Sequence, residues 1–413
     1  MKTPFPWSRN AQQDSRQCHA SGPQLCLWHY CNEINFALSH SGTLLIVVVS
    51  LLGTEYQHRS RGRNNKDMEK GPKMASPLSY IISFLSRLIL PGPVEEPATV
   101  ATPTLSTPPS LFQYQCHRLV DQVTKEVDGY FLKNWNLESE KAKKKFVAAG
   151  FSRVTCLYFP MALDDRIHFA CRLLTILFLI DDVLDHLSFE DGSIYNNKLM
   201  PIMRGDTMPD RSVPVEWMMF DLWESMRAHD KVMADEVLEP VFVFMRAQTD
   251  RTRAESMSLG TYFEYREKDV GKALLSALMR FSMQLQMSPA DLESVRPVER
   301  NCSKHISVVN DIYSFEKEVA AAKKGHKEGG ALCSSVQIMA AESDLSVAAS
   351  KRVLWVLCRE WESVHQQLVA KREGDLKKAS PAVLDYMKGL EYQMSGNRQW
   401  SHTTKRYNEV ADF

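Results

Sequence analysis

The chain has 413 residues, of which 44% are hydrophobic and 24% are charged, a composition typical of a globular protein with a large core. Fifty Lys and Arg residues balance fifty Asp and Glu residues, so no global field favours nucleic acid or an anionic membrane, and neither is expected as a partner. The nine cysteines are odd in number and scattered. This pattern favours free thiols in a reducing compartment, and we expect a cytoplasmic protein.

The first 110 residues differ from the rest. A basic run at 58–63 is followed by a Pro/Thr-rich stretch at 91–109, which is typical of an extended linker. We predict that residues 1–110 form a disordered extension, or that those before Met68 are absent from the working protein. The apolar stretch 44–52 is shorter than the roughly 20 residues of a membrane-spanning helix, although a membrane anchor there stays open. Cys26, His29 and Cys31 lack the spacing of a standard zinc finger.

Residues 111–413 predict a single all-α domain. Apolar residues recur there at spacings of three and four in long segments, and we expect a bundle whose helices direct polar groups into a central cavity. The clearest helical segments are 167–187, 217–228, 241–248, 274–285, 300–322 and 351–371.

Two acidic clusters follow each other early in this domain. Asp164 and Asp165 lie near a predicted helix start, where carboxylates interact favourably with the helix dipole, and we interpret them as structural. Asp181, Asp182 and Asp185 end an apolar run at 173–180. Like charges one helical turn apart repel each other, so such a pair tends to persist where a cation neutralises it. Asp181 is therefore a candidate metal ligand, with a solvated charged face as the alternative.

Arg266 lies in the segment Tyr265-Arg-Glu-Lys-Asp-Val-Gly271, three residues before Asp269. An arginine grips a phosphate with two parallel hydrogen bonds, and a neighbouring carboxylate holds its guanidinium in place. The alternative is an exposed helical salt bridge, which contributes little.

Asn310, Ser314 and Glu318 recur at four-residue spacing. On a helix they share one face and span about 12 Å. Their amide, hydroxyl and carboxylate oxygens suit magnesium, which proteins typically hold with one or two carboxylates and the phosphates of a substrate. Together with Asp181 they predict a site for several magnesium ions and a diphosphate.

Two further groups complete the pattern. Lys405, Arg406 and Tyr407 offer two cations and a phenol near the C-terminus, where a solvated basic tail is the alternative. Aromatic residues are core residues in most proteins, but beside a diphosphate site their ring faces stabilise a carbocation. The aromatic residues selected on this basis are Tyr158, Phe178, Phe244 and Trp400.

These motifs resemble those of the class I terpene cyclases, and in particular the fungal sesquiterpene cyclases. The resemblance extends over 113–407. It is carried by Tyr158-Phe-Pro, by Phe178-Leu-Ile-Asp-Asp-Val-Leu-Asp185, by the segments around Arg266 and Asn310, and by 162–172, 325–329 and 396–407.

The resemblance implies an all-α class I bundle that cyclises farnesyl diphosphate, through germacrene A and a eudesmane cation, to aristolochene. It assigns three magnesium ions to Asp181, Asn310, Ser314 and Glu318. By the resemblance, the residues that contact the diphosphate are Arg266, Lys317, Arg406 and Tyr407. The residues that shape the cavity are Tyr158, Phe178, Phe244 and Trp400. The loops around His326 and the C-terminal tail are expected to close over the substrate. A homodimer is expected by analogy.

The chain departs from its relatives at Asp185, where glutamate is frequent, and in its N-terminal extension. Three alternatives stay open. A related fungal cyclase would give another sesquiterpene, such as germacrene A, and a chain-elongating prenyl diphosphate synthase would use two aspartate-rich motifs, whereas the second motif here begins at Asn310. The most distant alternative is a non-catalytic diphosphate-binding protein.

Overall fold

The computed structural model describes residues 107–323, 327–375 and 381–408. Within these ranges the regular structure is helical and contains no strand, which confirms the predicted all-α fold. The predicted extension lies outside the described residues except for 107–110, and Gly325 and His326 also lie outside them.

The helices follow one another through short connections. In chain order they are α1 (Val120–Asn134), α2 (Glu140–Ala149), α3 (Phe151–Tyr158), α4 (Ile167–Leu184), α5 (Phe189–Arg204), α6 (Pro214–Gln248), α7 (Leu259–Asp269), α8 (Lys272–Met283), α9 (Pro289–Lys323), α10 (Ser335–Ser343), α11 (Val347–Asp375), α12 (Pro381–Thr403) and α13 (Lys405–Asn408). Two 3₁₀ helices, Arg251–Ala254 and Glu328–Gly330, lie between them.

The boundaries of the predicted helical segments were partly wrong. The segments 217–228 and 241–248 are parts of one helix, α6, which is kinked at Asp230. There the Asp230 carboxylate accepts a hydrogen bond from Arg166 at 2.9 Å and caps the following turn at the amide of Met233. Segment 167–187 ends as a helix at Leu184. Segment 274–285 ends at Met283, because Gln284 adopts a left-handed conformation with a φ of 54°.

The core lies where α9 and α12 pack against each other and against their neighbours. Helix α9 contacts α11 and α12, α12 contacts α3, and α3 contacts α4. Helix α4 is almost entirely apolar before Asp181, and most of its side chains are buried. A long hydrophobic helix of this kind is stable only inside the bundle. It therefore forms an inner wall and carries its acidic end to the rim of the core.

The described chain packs on the domain from Pro108 onward. Glu362 of α11 accepts hydrogen bonds from the hydroxyl of Ser110 and the amide of Leu111, both at 2.7 Å. Arg398 of α12 donates to the Pro108 carbonyl. The Phe112 ring contacts His365 edge-on at 5.5 Å. No helix among the described residues is long and apolar enough to cross a membrane, and the apolar stretch 44–52 lies outside them.

Candidate active site

A cavity of about 920 Å³ opens between α3, α4, α6, α7, α8, α9 and α12. This volume lies within the range of about 300–1,000 Å³ typical of ligand sites. Every predicted site residue except Ser314 lines it. Along α4 the lining changes from Leu174, Leu177 and Phe178 to Asp181 and Asp182, so the cavity has an apolar part and a polar end.

The apolar part has an aromatic wall. The Phe178 ring stacks on Phe151, with centroids 4.6 Å apart and an interplanar angle of 12°. The Trp400 ring lies 6.0 Å from Phe178, and its indole N–H donates to the Ala149 carbonyl at 2.9 Å. Phe244 lines the cavity from α6. Because Trp400 and Phe178 are fixed by neighbours, this part of the cavity wall is held in place.

Tyr158 and Asn397 form a buried polar pair in this wall. The Tyr158 hydroxyl donates to the Asn397 amide oxygen at 2.8 Å, and the Asn397 Nδ2 donates to the Ile306 carbonyl at 3.1 Å. Burial raises the pKa of Tyr158 far above its ordinary value of 10. The phenol therefore stays protonated, and its single proton is engaged by the amide.

At the polar end, α4 and its C-cap residue Asp185 present three carboxylates. The Asp181 Oδ1 accepts a hydrogen bond from the Gln248 side-chain amide at 2.8 Å. Burial raises the pKa of Asp181, and burial together with the Asp181 charge raises the pKa of Asp185 to about 7. Burial alone would also raise the pKa of Asp182, but the paired Arg406 guanidinium lowers it below its usual value. Among the described residues, Asp181 and Asp185 thus lack a full counter-charge.

Arg266 connects α7 to α9. Its guanidinium donates to Asp269 and, at 3.0 Å, to the Asn310 amide oxygen, and it lies 3.4 Å from an Asp311 oxygen. Asp311 is anchored in turn by Tyr262 and by the amide and hydroxyl of Ser335. Arg266 is therefore fixed by acids on two helices rather than forming an exposed salt bridge.

A sharp turn places this arginine at the cavity. Gly271 has a φ of 71°, which lets α8 begin directly after α7. A side chain there would be strained, because L residues rarely adopt such a φ, and its Cβ would lie 3.2 Å from the Phe244 ring. The end of α7, with Asp269, consequently faces the cavity beside Phe244.

The C-terminal helix α13 covers the polar end. Arg406 donates to both oxygens of Asp182, at 2.6 and 3.2 Å, and its guanidinium lies 5.4 Å from the centre of the Phe151 ring. The Tyr407 hydroxyl accepts a hydrogen bond from Asn310 Nδ2 at 2.9 Å. Burial and the Arg406 charge lower the pKa of Lys317, which also lines this end. Arg406 and Tyr407 thus connect α4 to α9.

The acidic pair interpreted as structural forms ion pairs elsewhere. Asp164 lies beside Arg118 and His117, and one oxygen of Asp165 lies 3.2 Å from His229 Nε2. Neither aspartate lines the cavity. Their structural role stays an interpretation, and these ion pairs are consistent with it.

The oxygen groups at the polar end fit a divalent cation. Asn310, Ser314 and Glu318 all lie on α9, and within the described residues the buried Ser314 hydroxyl has no hydrogen-bond partner. Such an orphaned oxygen is costly unless a ligand satisfies it. Asp181 faces the cavity from α4. In the described ranges no three His, Cys, Asp or Glu side chains are arranged to hold a metal ion by themselves. A cation here would therefore need the amide and hydroxyl oxygens and a phosphate ligand in addition to the carboxylates.

Sequence reasoning missed four residues of the site: Phe151, Gln248, Arg253 and Asn397. Phe151 had a readable signal, since it precedes Tyr158 by two helical turns on the same face. The other three are defined by contacts with residues far away in the chain, which no local pattern reveals.

The chain is similar in sequence to known proteins. The family model described as "Terpene synthase family 2, C-terminal metal binding" matches residues 172–363. Aristolochene synthase of Aspergillus terreus is 66% identical over 312 residues, which cover 76% of this chain and 97% of the relative. Aristolochene synthase of Penicillium roqueforti is 59% identical over 342 residues, covering 81% of this chain and 100% of the relative.

Solved structures of terpene synthases have a similar fold. The crystal structure of aristolochene synthase from Penicillium roqueforti has a TM-score of 0.66 at 60% identity, and covers 73% of this chain and all of that one. Hedycaryol synthase in complex with nerolidol has a TM-score of 0.58 at 16% identity, covering 70% of this chain and 97% of that one, which supports the fold alone. The chain therefore belongs to the terpene synthase family, in which the fungal aristolochene synthases are among its similar relatives.

Proposed function

We propose that the chain is a magnesium-dependent sesquiterpene cyclase, a carbon–oxygen lyase that converts farnesyl diphosphate to aristolochene and diphosphate. The observation that carries the proposal is a cavity in which an aromatic apolar wall meets a polar end rich in oxygen ligands and cations. The high identity to relatives named aristolochene synthase supports the choice of product.

The proposal divides the polar end into two functions. Asp181 on one side and Asn310, Ser314 and Glu318 on the other would hold three magnesium ions. Arg266, Lys317, Arg406 and Tyr407 would contact the diphosphate. When bound, the ions would supply positive charge that stabilises the departing diphosphate. The fixed guanidinium of Arg266 adds to this stabilisation, because a donor held in place by Asp269 and Asn310 needs little reorganisation as charge develops.

Two features of the cavity act on the hydrocarbon. Loss of diphosphate leaves an allylic cation without a counter-ion in the apolar part, where the faces of Phe178, Phe244 and Trp400 stabilise it. Helix α13 covers the polar end through the contacts of Arg406 and Tyr407. Closure of this kind excludes water, which would otherwise capture the cation as an alcohol.

Tyr158 is proposed as a contour residue rather than an acid. Its pKa is raised by burial and its proton is donated to Asn397, so proton loss to a substrate alkene is unfavourable. The released diphosphate is the better proton carrier. A Tyr158→Phe variant should still form the bicyclic product, and a variant that stops at germacrene A would make the hydroxyl a participant.

A cytosolic location also belongs to the proposal. The described cysteines are free thiols, and all but Cys116 among them are buried. Free buried thiols favour a reducing compartment. The homodimer stays a prediction.

The test of the site is a turnover assay with farnesyl diphosphate and magnesium, in which extractable hydrocarbon is measured. Asp181→Asn should lose most of its activity, because the carboxylate charge is removed. Asp165→Asn is the matched control, since this aspartate pairs with His229 away from the cavity, and it should retain wild-type activity. Equal activity of both variants would contradict the assignment of Asp181.

A further inference from the structure

One largely buried arginine at the polar end, Arg253, is not among the residues to which the proposed function assigns a contact. Arg253 lies in the 3₁₀ helix Arg251–Ala254, whose first turn is capped by the Asp250 carboxylate at the amide of Thr252. The side chain of Arg253 is only 16% exposed and lines the cavity. Its neighbour Arg251, two residues earlier in the same 3₁₀ helix, is exposed. The short helix therefore directs one of its two arginines inward.

Within the described ranges, only part of the hydrogen-bonding capacity of the Arg253 guanidinium is used. Its Nε donates to the Ala331 carbonyl at 3.2 Å, and its Nη1 lies 3.4 Å from an Asp269 oxygen. These contacts engage two of the five N–H groups of the guanidinium. The other oxygen of Asp269 accepts a shorter hydrogen bond from Arg266. Arg266 also lies 3.4 Å from a second carboxylate, that of Asp311. Both arginines contact Asp269, but the positive charge of Arg253 is less well neutralised by carboxylates than that of Arg266.

Arg253 faces the end of the cavity that the proposed function assigns to the diphosphate. It interacts electrostatically with Asp181 and Asp185 on α4, and it lines the same space as Arg266 and Lys317. A buried guanidinium with unused donors is suited to phosphate oxygens, because its planar fork forms two parallel hydrogen bonds.

We propose that Arg253 is a further diphosphate-binding residue. This inference rests on the proposed function. Its free N–H groups donate to the diphosphate, while its Nε holds Ala331 in the segment that follows the 3₁₀ helix Glu328–Gly330. One side chain thus connects the diphosphate to a segment that borders the cavity, where Ala331 itself is a lining residue.

The experiment measures the Kd of inorganic diphosphate, in the presence of magnesium, for the full-length chain by isothermal titration calorimetry. Arg253→Gln removes the charge and should raise the Kd about tenfold to hundredfold, the range expected for a charge-assisted hydrogen bond. Arg253→Lys keeps the charge without the fork and should be intermediate. Arg251→Gln is the matched control from the exposed side of the same helix and should bind as the wild type does.

Farnesol separates a binding function from a structural one, because it has the same hydrocarbon chain but no diphosphate. All four proteins should bind farnesol with equal Kd. Wild-type diphosphate affinity in Arg253→Gln would overturn the inference, and so would a parallel loss of farnesol and diphosphate affinity.

An Arg266→Gln variant distinguishes this inference from the proposed site. If it binds diphosphate normally while Arg253→Gln does not, the assignment of Arg266 fails and that of Arg253 stands. If the wild type itself binds no diphosphate, both fail.

Discussion

Gly396 lies in α12 where this helix crosses α3, and replacing it with alanine should destabilise the domain. A Cβ at this position would lie 2.7 Å from the carbonyl carbon of Leu157 and closer still to its oxygen, whereas ordinary contact begins at 3.4 Å. Both sides of the contact are helix backbone, so no flexible side chain can move away. The two helices would have to separate by about 1 Å in a close-packed interior.

The magnitude follows from two opposing effects. Overpacking of a core costs about 1–3 kcal/mol, and the rigid backbone contact at Leu157 places Gly396→Ala at the upper end. Replacing glycine with alanine inside a helix returns about 1 kcal/mol. We expect a net loss of about 2 kcal/mol in the free energy of unfolding. Because Leu157 precedes Tyr158 and Asn397 follows Gly396, the aromatic wall should also shift and give additional hydrocarbon products.

The assay is urea unfolding followed by far-UV circular dichroism, with Gly129→Ala as the matched control. Gly129 is exposed in α1, and a Cβ there would meet no atom within 4 Å. The control should therefore gain about 0.5–1 kcal/mol. If Gly396→Ala changes stability in the same direction as Gly129→Ala, the account of the helix contact is refuted.

Three other changes test different parts of the structure. Gln248→Leu removes the hydrogen bond that orients Asp181 and should raise the magnesium concentration for half-maximal turnover about tenfold or more. Asn397→Leu frees the Tyr158 hydroxyl and should change the ratio of products more than the rate, as measured by gas chromatography. His365→Leu should flatten the pH dependence of stability. Burial lowers the pKa of His365 from 6.5 to about 4. Between these two pH values the unfolded chain binds a proton at His365 that the folded chain does not. The contribution of His365 to the free energy of unfolding is therefore complete above pH 6.5 and falls by about 3 kcal/mol as the pH drops to about 4.

Each of these has an outcome that contradicts it. An unchanged magnesium dependence in Gln248→Leu would show that the hydrogen bond from Gln248 is not needed to orient Asp181. An unchanged product ratio in Asn397→Leu would show that the hydrogen bond to Asn397 is not needed to hold Tyr158. For His365→Leu the comparison is the difference in unfolding free energy between neutral and acidic pH. The exposed His402 provides the control variant, His402→Gln. An equal acid loss in both histidine variants would refute the contribution of His365.

The sequence revealed those parts of the site that lie along single helices. Asn310, Ser314 and Glu318 follow the helical repeat of α9, and Asp181 follows an apolar run that can only be an inner wall. The repeat did not show that Ser314 is buried and does not line the cavity.

Contacts between distant segments could not be predicted. Gln248 reaches Asp181 because α6 ends beside α4, and Arg253 reaches Ala331 because a short 3₁₀ helix lies against a later segment. Both contacts depend on how helices pack, and packing is set by the summed fit of many side chains rather than by a local signal. The kink at Asp230 has the same origin, since its partner Arg166 lies in another part of the chain.

The central claim is that this cavity ionises farnesyl diphosphate and folds the resulting cation into one bicyclic hydrocarbon. The most direct measurement is to incubate the full-length protein with farnesyl diphosphate and magnesium and to analyse the organic extract by gas chromatography with mass spectrometry. The account predicts one dominant product with the retention time and mass spectrum of aristolochene. A different dominant hydrocarbon would contradict the assigned product, and no hydrocarbon would contradict the cyclase itself.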